Sequence, residues 1–166
     1  MAFILSGGSV ISFAEYDDVV ARDQRLFEAN EGLTDVIVED ALVRATQRIL
    51  TLIRSSGWWK SYYMKRSPTT LAVDVPAPDA NQIIARQADF TDLAVYYALA
   101  EIILPKVADF GNADTAERQK IGFYDEKFRS LYNELIEAGD WYDFDDDNTI
   151  ETSEKSATRV NLVRVR

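Results

Sequence analysis

The sequence predicts a mainly α-helical protein: a small helical bundle with a β-hairpin or extended excursion and an extended C-terminal arm. Two observations support this fold class. Residues 38–53 and 121–136 repeat apolar side chains at intervals of three and four, the spacing of one helix face. Residues 140–166 lack that spacing. We therefore divide the chain into an N-terminal segment and helix (1–33), a bundle core (34–139) with an excursion at 58–76, and an acidic hinge with a docking arm (140–166).

Composition narrows the possible functions. The chain has 166 residues, 47% of them hydrophobic, which is enough to form a core, and it has no Cys and no His. This excludes thiol and Ser-His nucleophilic catalysis, Cys/His zinc sites, haem ligation by His and disulfides. We expect no enzymatic activity and no cofactor.

The net charge of -10 disfavours non-specific DNA binding, because phosphate contacts need Lys and Arg. No stretch has the length of a membrane span, and the apolar start lacks the basic region of a secretory signal.

The first two helices have recognisable start signals. Ser12 with Glu15 three residues later resembles a capping box and predicts a helix from Phe13 to Ala29. Thr34 or Asp35 then caps a second helix, which Gly57 is expected to end. One apolar stripe marks its buried face: Val38, Ala41, Leu42, Ala45, Ile49, Leu52 and Ile53.

The character of the chain changes at residues 58–76. WWKSYYMK is aromatic and polar, TLAVDV alternates with a period of two, and Ser67-Pro68 between them indicates a turn. This pattern predicts a β-hairpin or extended excursion.

Helical signals return after Pro76 and Pro78, which indicate a loop. Asp79 can cap a short helix that runs to Arg86, and the segment from Leu93 to Leu104 is apolar on nearly every face, so it should form the most buried helix. Pro105 is expected to kink or end that helix. The last helix should bury Ile121, Tyr124, Phe128, Leu131, Tyr132, Leu135 and Ile136 and stop at Gly139.

Charge is segregated after that helix. Residues 140–151 hold six acids and no base, whereas residues 155–166 hold four bases and no acid. The terminal RVNLVRVR is β-branched and nearly alternating, and it is too short to fold alone. Such a segment favours addition to a partner's sheet or groove, with a frayed terminus as the alternative. The predicted partner-binding residues here are Val160, Leu162, Val163, Arg164, Val165 and Arg166.

Residues 143–154, DFDDDNTIETSE, match much of a calcium-binding EF-hand loop. Asp143, Asp145, Asp147 and Glu154 fall at ligand positions one, three, five and twelve, and Asn148 replaces the usual glycine at position six. The flanking segments do not read as an EF-hand helix pair. An acidic, solvated hinge is therefore favoured over a calcium site, which stays open as the alternative.

The stretch WWKSYYMKR, residues 58–66, interleaves aromatic and basic side chains. Such a pattern can stack on single-stranded nucleic acid. Alternatively, the aromatic side chains anchor the segment to its own domain or to a neighbouring subunit. With a net charge of -10, the protein interface is favoured. The predicted partner-binding residues here are Trp58, Trp59, Tyr62 and Tyr63.

The order of these segments resembles the head–tail connector proteins of tailed bacteriophages, the adaptor or head-completion family beneath the portal. The resemblance covers residues 34–145. It rests on helix order and on ALVRATQRI (residues 41–49) and KFRSLYNELIEAG (residues 127–139). The long N-terminal helix and the acidic segment depart from the family pattern.

The resemblance implies a structural virion protein at the head–tail junction, present in the host cytoplasm during assembly. Its partners would be the portal protein, the next neck or tail protein, and copies of itself in a ring, typically a dodecamer. DNA would pass through the lumen without specific binding. A ring needs two different faces per subunit, and the aromatic excursion and the apolar N-terminus are the candidates.

Overall fold

The computed structural model describes residues 3–30, 32–108 and 116–155, and it is mainly helical, as the sequence predicts. The terminal residues 160 and 162–166, predicted to bind a partner, lie outside the described residues. No helix in the described part of the chain is both long and apolar enough to cross a membrane.

The first element in the described residues is a β-hairpin, which was not predicted from the sequence. Strands β1 (Ile4–Ser6) and β2 (Ser9–Ser12) pair antiparallel, with Leu5 opposite Val10. Gly7 (φ 59°) and Gly8 (φ 85°) form the two-residue turn, which needs positive φ at both positions. The Gly-Gly pair between short apolar runs is the signal that could have predicted it.

The predicted helix from Phe13 to Ala29 is wrong in its start and its continuity. Helices α1 (Tyr16–Arg22) and α2 (Gln24–Ala29) are separated at Asp23. The cap lies later than predicted, because the Glu15 backbone N–H bonds to the Asp18 carboxylate at 3.0 Å. Asp23 is buried and accepts from Lys120 Nζ at 2.7 and 2.8 Å and from the Tyr124 hydroxyl at 3.3 Å. This contact with the last helix fixes the break.

Helix α3 (Asp35–Ser55) confirms the predicted amphipathic helix. Its predicted stripe is buried except for Leu52, which is half-buried. Helix α3 ends at Ser55, close to Gly57 as predicted, but Gly57 has no positive φ and is instead the first residue of a new helix. The chain turns at Ser56, whose hydroxyl donates to the Ile53 carbonyl at 2.7 Å and accepts from the Trp59 N–H at 3.1 Å. A new helix therefore starts at once.

The predicted hairpin or extended excursion at 58–76 is wrong in its first half. Residues Gly57–Arg66 form helix α4, and only residues 67–79 are irregular. A single 3₁₀ turn, Ala80–Gln82, replaces the short helix predicted to reach Arg86, although Asp79 caps it as expected by accepting from the Asn81 N–H at 2.9 Å.

The central helix passes through a proline. It runs as α5 (Gln87–Tyr97), widens to a π-helix at Ala98–Ile103, and continues as α6 (Leu104–Val107). Pro105 cannot donate a backbone bond, and the wider turns just before it let the chain continue for two further residues. Helix α7 (Ala116–Ala138) then packs along α5 and the π-helix. Its predicted stop is confirmed, because Gly139 has a φ of 55°.

One hydrophobic core spans all three of the segments into which we divided the sequence. It includes Phe13 from the N-terminal segment, Leu42 and Phe90 from the bundle, and Trp141 from the segment predicted to be a hinge. The described part of residues 140–166 therefore belongs to the body of the protein.

Two buried threonines clamp the hairpin to the bundle. The Phe13 N–H bonds to Thr46 Oγ1 of α3 at 3.0 Å, and the Phe13 carbonyl accepts from Thr91 Oγ1 of α5 at 2.7 Å. Phe13 is fully buried, so these two hydroxyls replace the water that its backbone groups would otherwise bind.

We expect Thr46→Val to lower the free energy of unfolding by about 1–3 kcal/mol, because it keeps the side-chain shape and leaves the buried Phe13 N–H unpaired. Urea denaturation measures this change. Thr51→Val is the matched control, since Thr51 is exposed on the same helix and its hydroxyl donates to the Gln47 carbonyl of that helix. Equal effects of the two substitutions would contradict the clamp.

Candidate functional site

The four aromatic residues that the sequence predicts to bind a partner pack against their own chain. Trp59 and Tyr62 are buried, whereas Trp58 and Tyr63 are half-buried against the core. The Trp59 indole N–H donates to the Pro76 carbonyl at 2.8 Å, which holds the irregular loop against α4. Trp59 and Tyr62 are therefore inaccessible to a partner, and the alternative of anchoring to the domain describes the site better.

These aromatic rings make helix α4 the platform on which residues 141–144 rest. Trp58 lies 5.3 Å from Trp141 and Trp59 lies 4.8 Å from Tyr142, measured between ring centroids. Trp141 is fully buried and its indole N–H donates to the Leu135 carbonyl at 2.9 Å. Trp141 was not among the residues predicted from the sequence to anchor this segment. The signal was an aromatic pair, Trp-Tyr, inside an otherwise acidic stretch.

Residues 143–154, which we call the acidic loop, are held at both ends. Asp143 is 1% exposed, and its backbone N–H donates to the Gln82 carbonyl at 2.9 Å. At the far end, Glu154 is 6% exposed. Nearby, the Arg66 guanidinium donates to the Ser153 carbonyl at 2.7 Å and stacks 3.7 Å above the Tyr62 ring. The loop is therefore fixed to α4, contrary to the predicted solvated hinge.

Carboxylates also hold the loop closed from within. Asp143 accepts from the N–H groups of Asp146 at 2.9 Å and Asn148 at 2.8 Å, and both of those residues have positive φ. Glu154 accepts from the N–H groups of Phe144 at 2.6 Å and Glu151 at 3.0 Å. The first and twelfth positions of the EF-hand pattern thus organise the backbone.

Three carboxylates of the loop converge. Single oxygens of Asp143, Asp145 and Asp147 lie within 4.8 Å of one another, with Asp143 buried and the other two exposed. Asn148, at the position where an EF-hand has glycine, has a φ of 65°, so the chain makes the left-handed turn that the pattern needs. Glu154 is not part of this group, since its two oxygens bind backbone N–H groups.

The charges of the loop act on one another. Partial desolvation, followed by repulsion from Asp147 and Glu154, raises the pKa of Asp145. The Thr149 hydroxyl and backbone N–H lower the pKa of Asp147. Burial raises the pKa of the Tyr62 hydroxyl to about 12, and that hydroxyl has no hydrogen-bond partner among the described residues. An added cation would relieve the repulsion at Asp145.

A separate hollow of about 420 Å³ lies between α3, the end of α5, the π-helix and α7. Arg48, Glu101, Asp125 and Arg129 line it together with aromatic side chains. Arg129 already pairs with Asp125 at 2.8 Å. The lining is mixed in charge, with no convergent set of ligands for one substrate.

Comparison with protein-family models, with curated proteins and with solved structures found no match to this chain.

Proposed function

We propose that this protein is a structural virion component that forms a ring at the head–tail junction. In this proposal it docks to the portal protein through its C-terminal arm and links the portal to the next neck or tail protein. DNA passes through the lumen without specific binding, and the acidic charge of the ring keeps DNA from adhering. Two features support the proposal: the resemblance of residues 34–145 and the mainly helical body.

The observation that carries the proposal is the charge segregation after α7. The acids of residues 140–151 precede the four bases of residues 155–166, and the acidic loop is fixed to the body by Trp141 and Arg66. Because the acidic loop is fixed, the basic, β-branched terminal segment starts from a defined position on the body. A strand-prone terminus of this kind suits addition to a partner's sheet edge.

Deleting residues 155–166 is expected to abolish co-sedimentation with the portal protein while leaving the thermal unfolding of the body unchanged. The body should keep its stability because its core lies within residues 3–142. A control for loss of positive charge is the double substitution Lys127→Ser and Arg118→Ser, which removes two bases from α7 and should leave co-sedimentation unchanged. Unchanged portal binding by the deletion variant would remove the docking arm from the proposal.

A second candidate function is calcium binding by the acidic loop. The observation that favours it is the convergence of Asp143, Asp145 and Asp147 around a left-handed Asn148. Hard oxygen ligands of this kind suit calcium, and Asp143 and Glu154 hold the loop closed through backbone N–H groups.

If the acidic loop binds calcium, isothermal titration calorimetry should show saturable heat at sub-millimolar calcium, and calcium should raise the unfolding temperature. Asp145→Asn should abolish both effects, because Asp145 is exposed and contributes a ligand oxygen to the group. Asp125→Asn, which changes an acid on α7, is the control. Absence of saturable heat in the unsubstituted protein would eliminate this candidate.

A further inference from the structure

The two ends of helix α3 carry different apolar surfaces. At its first turn, Val36 is 70% exposed and Ile37 is 38% exposed; we call this pair the α3 knob. At the other end, a hollow of about 270 Å³ lies between α3, α4 and the irregular loop; we call it the α3 hollow. Its lining is formed by Thr51, Arg54, Ser55, Lys60, Ala72, Val73 and Val75. Leu71 and Val73 are 66% and 78% exposed on the same loop. Both surfaces leave large apolar side chains in water.

The two surfaces have opposite charge. Asp35, Glu39 and Asp40 surround the knob, whereas Arg54 and Lys60 line the hollow. In the part of the chain that the structure describes, neither Glu39 nor Lys60 forms an ion pair, and Asp40 pairs with Arg44.

Further groups complete the surroundings of the hollow. Arg54 is exposed and donates to the Val75 carbonyl at 3.0 Å. Asp74 and Asp79 are the acids of the same loop; the Asp74 N–H bonds to the Leu71 carbonyl and the Asp79 N–H to the Tyr142 hydroxyl. Neither acid is among the residues that line the hollow, so the lining is basic, whereas the knob is acidic.

A rigid helix keeps these surfaces apart within one molecule. Helix α3 has 21 residues, which corresponds to a length of about 30 Å. Complementary surfaces at different places on one chain give head-to-tail contacts between copies, and such contacts close into a ring when the rotation permits. The β-hairpin also exposes Leu5, but residues 3–12 carry no charge to match the hollow.

We infer that the α3 knob of one copy inserts into the α3 hollow of the next copy. Val36 contacts Val73, while Asp35 and Glu39 face Arg54 and Lys60. The inference rests on the proposed function, because it identifies the two faces of the proposed ring. It replaces the apolar N-terminus as one face, and it assigns the other face to the exposed loop of the excursion rather than to its aromatic residues.

Cysteine cross-linking tests this contact directly, since the chain has no Cys of its own. The double variant Val36→Cys with Val73→Cys should give a ladder of covalent oligomers on oxidation, because a disulfide forms only where the two Cα atoms approach to about 4.4–6.8 Å. Each single variant should give no species larger than a dimer. The pair Val36→Cys with Phe123→Cys is the matched control, since Phe123 is exposed on α7.

Charge reversal provides a second measurement that misfolding cannot mimic. Glu39→Lys alone and Lys60→Glu alone should each weaken self-association at least tenfold in sedimentation velocity, and the double variant should restore it. Arg118→Glu, an exposed charge on α7, should have no such effect.

Both measurements are made on the protein alone and on its mixture with the portal protein. A ladder without portal binding would support this interface and remove the head–tail role. Portal binding without a ladder in the bound complex would overturn the interface and leave the proposed function intact. The absence of both the ladder and portal binding would overturn both proposals. Equal ladders from the Val36/Val73 pair and the Val36/Phe123 control pair would overturn the interface.

Discussion

Trp141→Ala is expected to lower the free energy of unfolding by about 3–5 kcal/mol, the range for large aromatic side chains removed from a core. Trp141 is fully buried, donates to the Leu135 carbonyl at 2.9 Å, and lies 5.0 Å from the Phe90 ring and 5.3 Å from the Trp58 ring. Its loss leaves a cavity where α4, α5 and the end of α7 meet. Chemical denaturation followed by far-ultraviolet circular dichroism measures the change.

Phe123→Ala is the control for Trp141→Ala. Phe123 is 53% exposed on α7, so its removal should change the free energy of unfolding by no more than about 0.5 kcal/mol. A change below about 1 kcal/mol for Trp141→Ala would mean that residues 140–155 do not contribute to the folded core, as the solvated hinge would require.

Asp143→Ala is expected to destabilise the protein by about 2 kcal/mol, because its carboxylate accepts two backbone N–H bonds and charged acceptors make the stronger hydrogen bonds. The side chain is buried, and its oxygens hold Asp146 and Asn148 in their left-handed conformations. Asp143→Asn should cost less, since one oxygen remains. Thermal unfolding in the presence of a calcium chelator separates this structural role from metal binding.

Asp145→Asn is the matched control in the same loop. The pKa of Asp145 is raised in the folded state, so folding favours its protonated form, and stability from this group increases as the pH falls through its folded pKa. An uncharged Asn at this position should therefore leave the unfolding temperature unchanged or slightly higher. If Asp145→Asn destabilised the protein as much as Asp143→Ala, the assignment of Asp143 as the organising residue would be wrong.

Only part of the acidic loop's structure could be predicted from the sequence. The ligand positions of the acidic loop were visible because they depend on spacing within twelve residues, and the fold brings Asp143, Asp145 and Asp147 together. The attachment of that loop to Arg66 was not visible, because it joins residues 87 positions apart. The α3 knob and α3 hollow likewise depend on which apolar side chains the folded chain leaves uncovered.

The sequence by itself determined the buried face of α3 and the stop at Gly139, because helix periodicity and left-handed backbone preference act within a few residues. Tertiary structure alone decided the state of residues 57–66. Their Trp and Tyr side chains suit a strand as well as a helix, and burial against Trp141 and Tyr142 selected the helix. Tertiary structure also decided that the acidic segment lies on the body. The free energy gained by burying the Trp141 and Tyr142 rings outweighs the gain from full solvation of the acids that follow them.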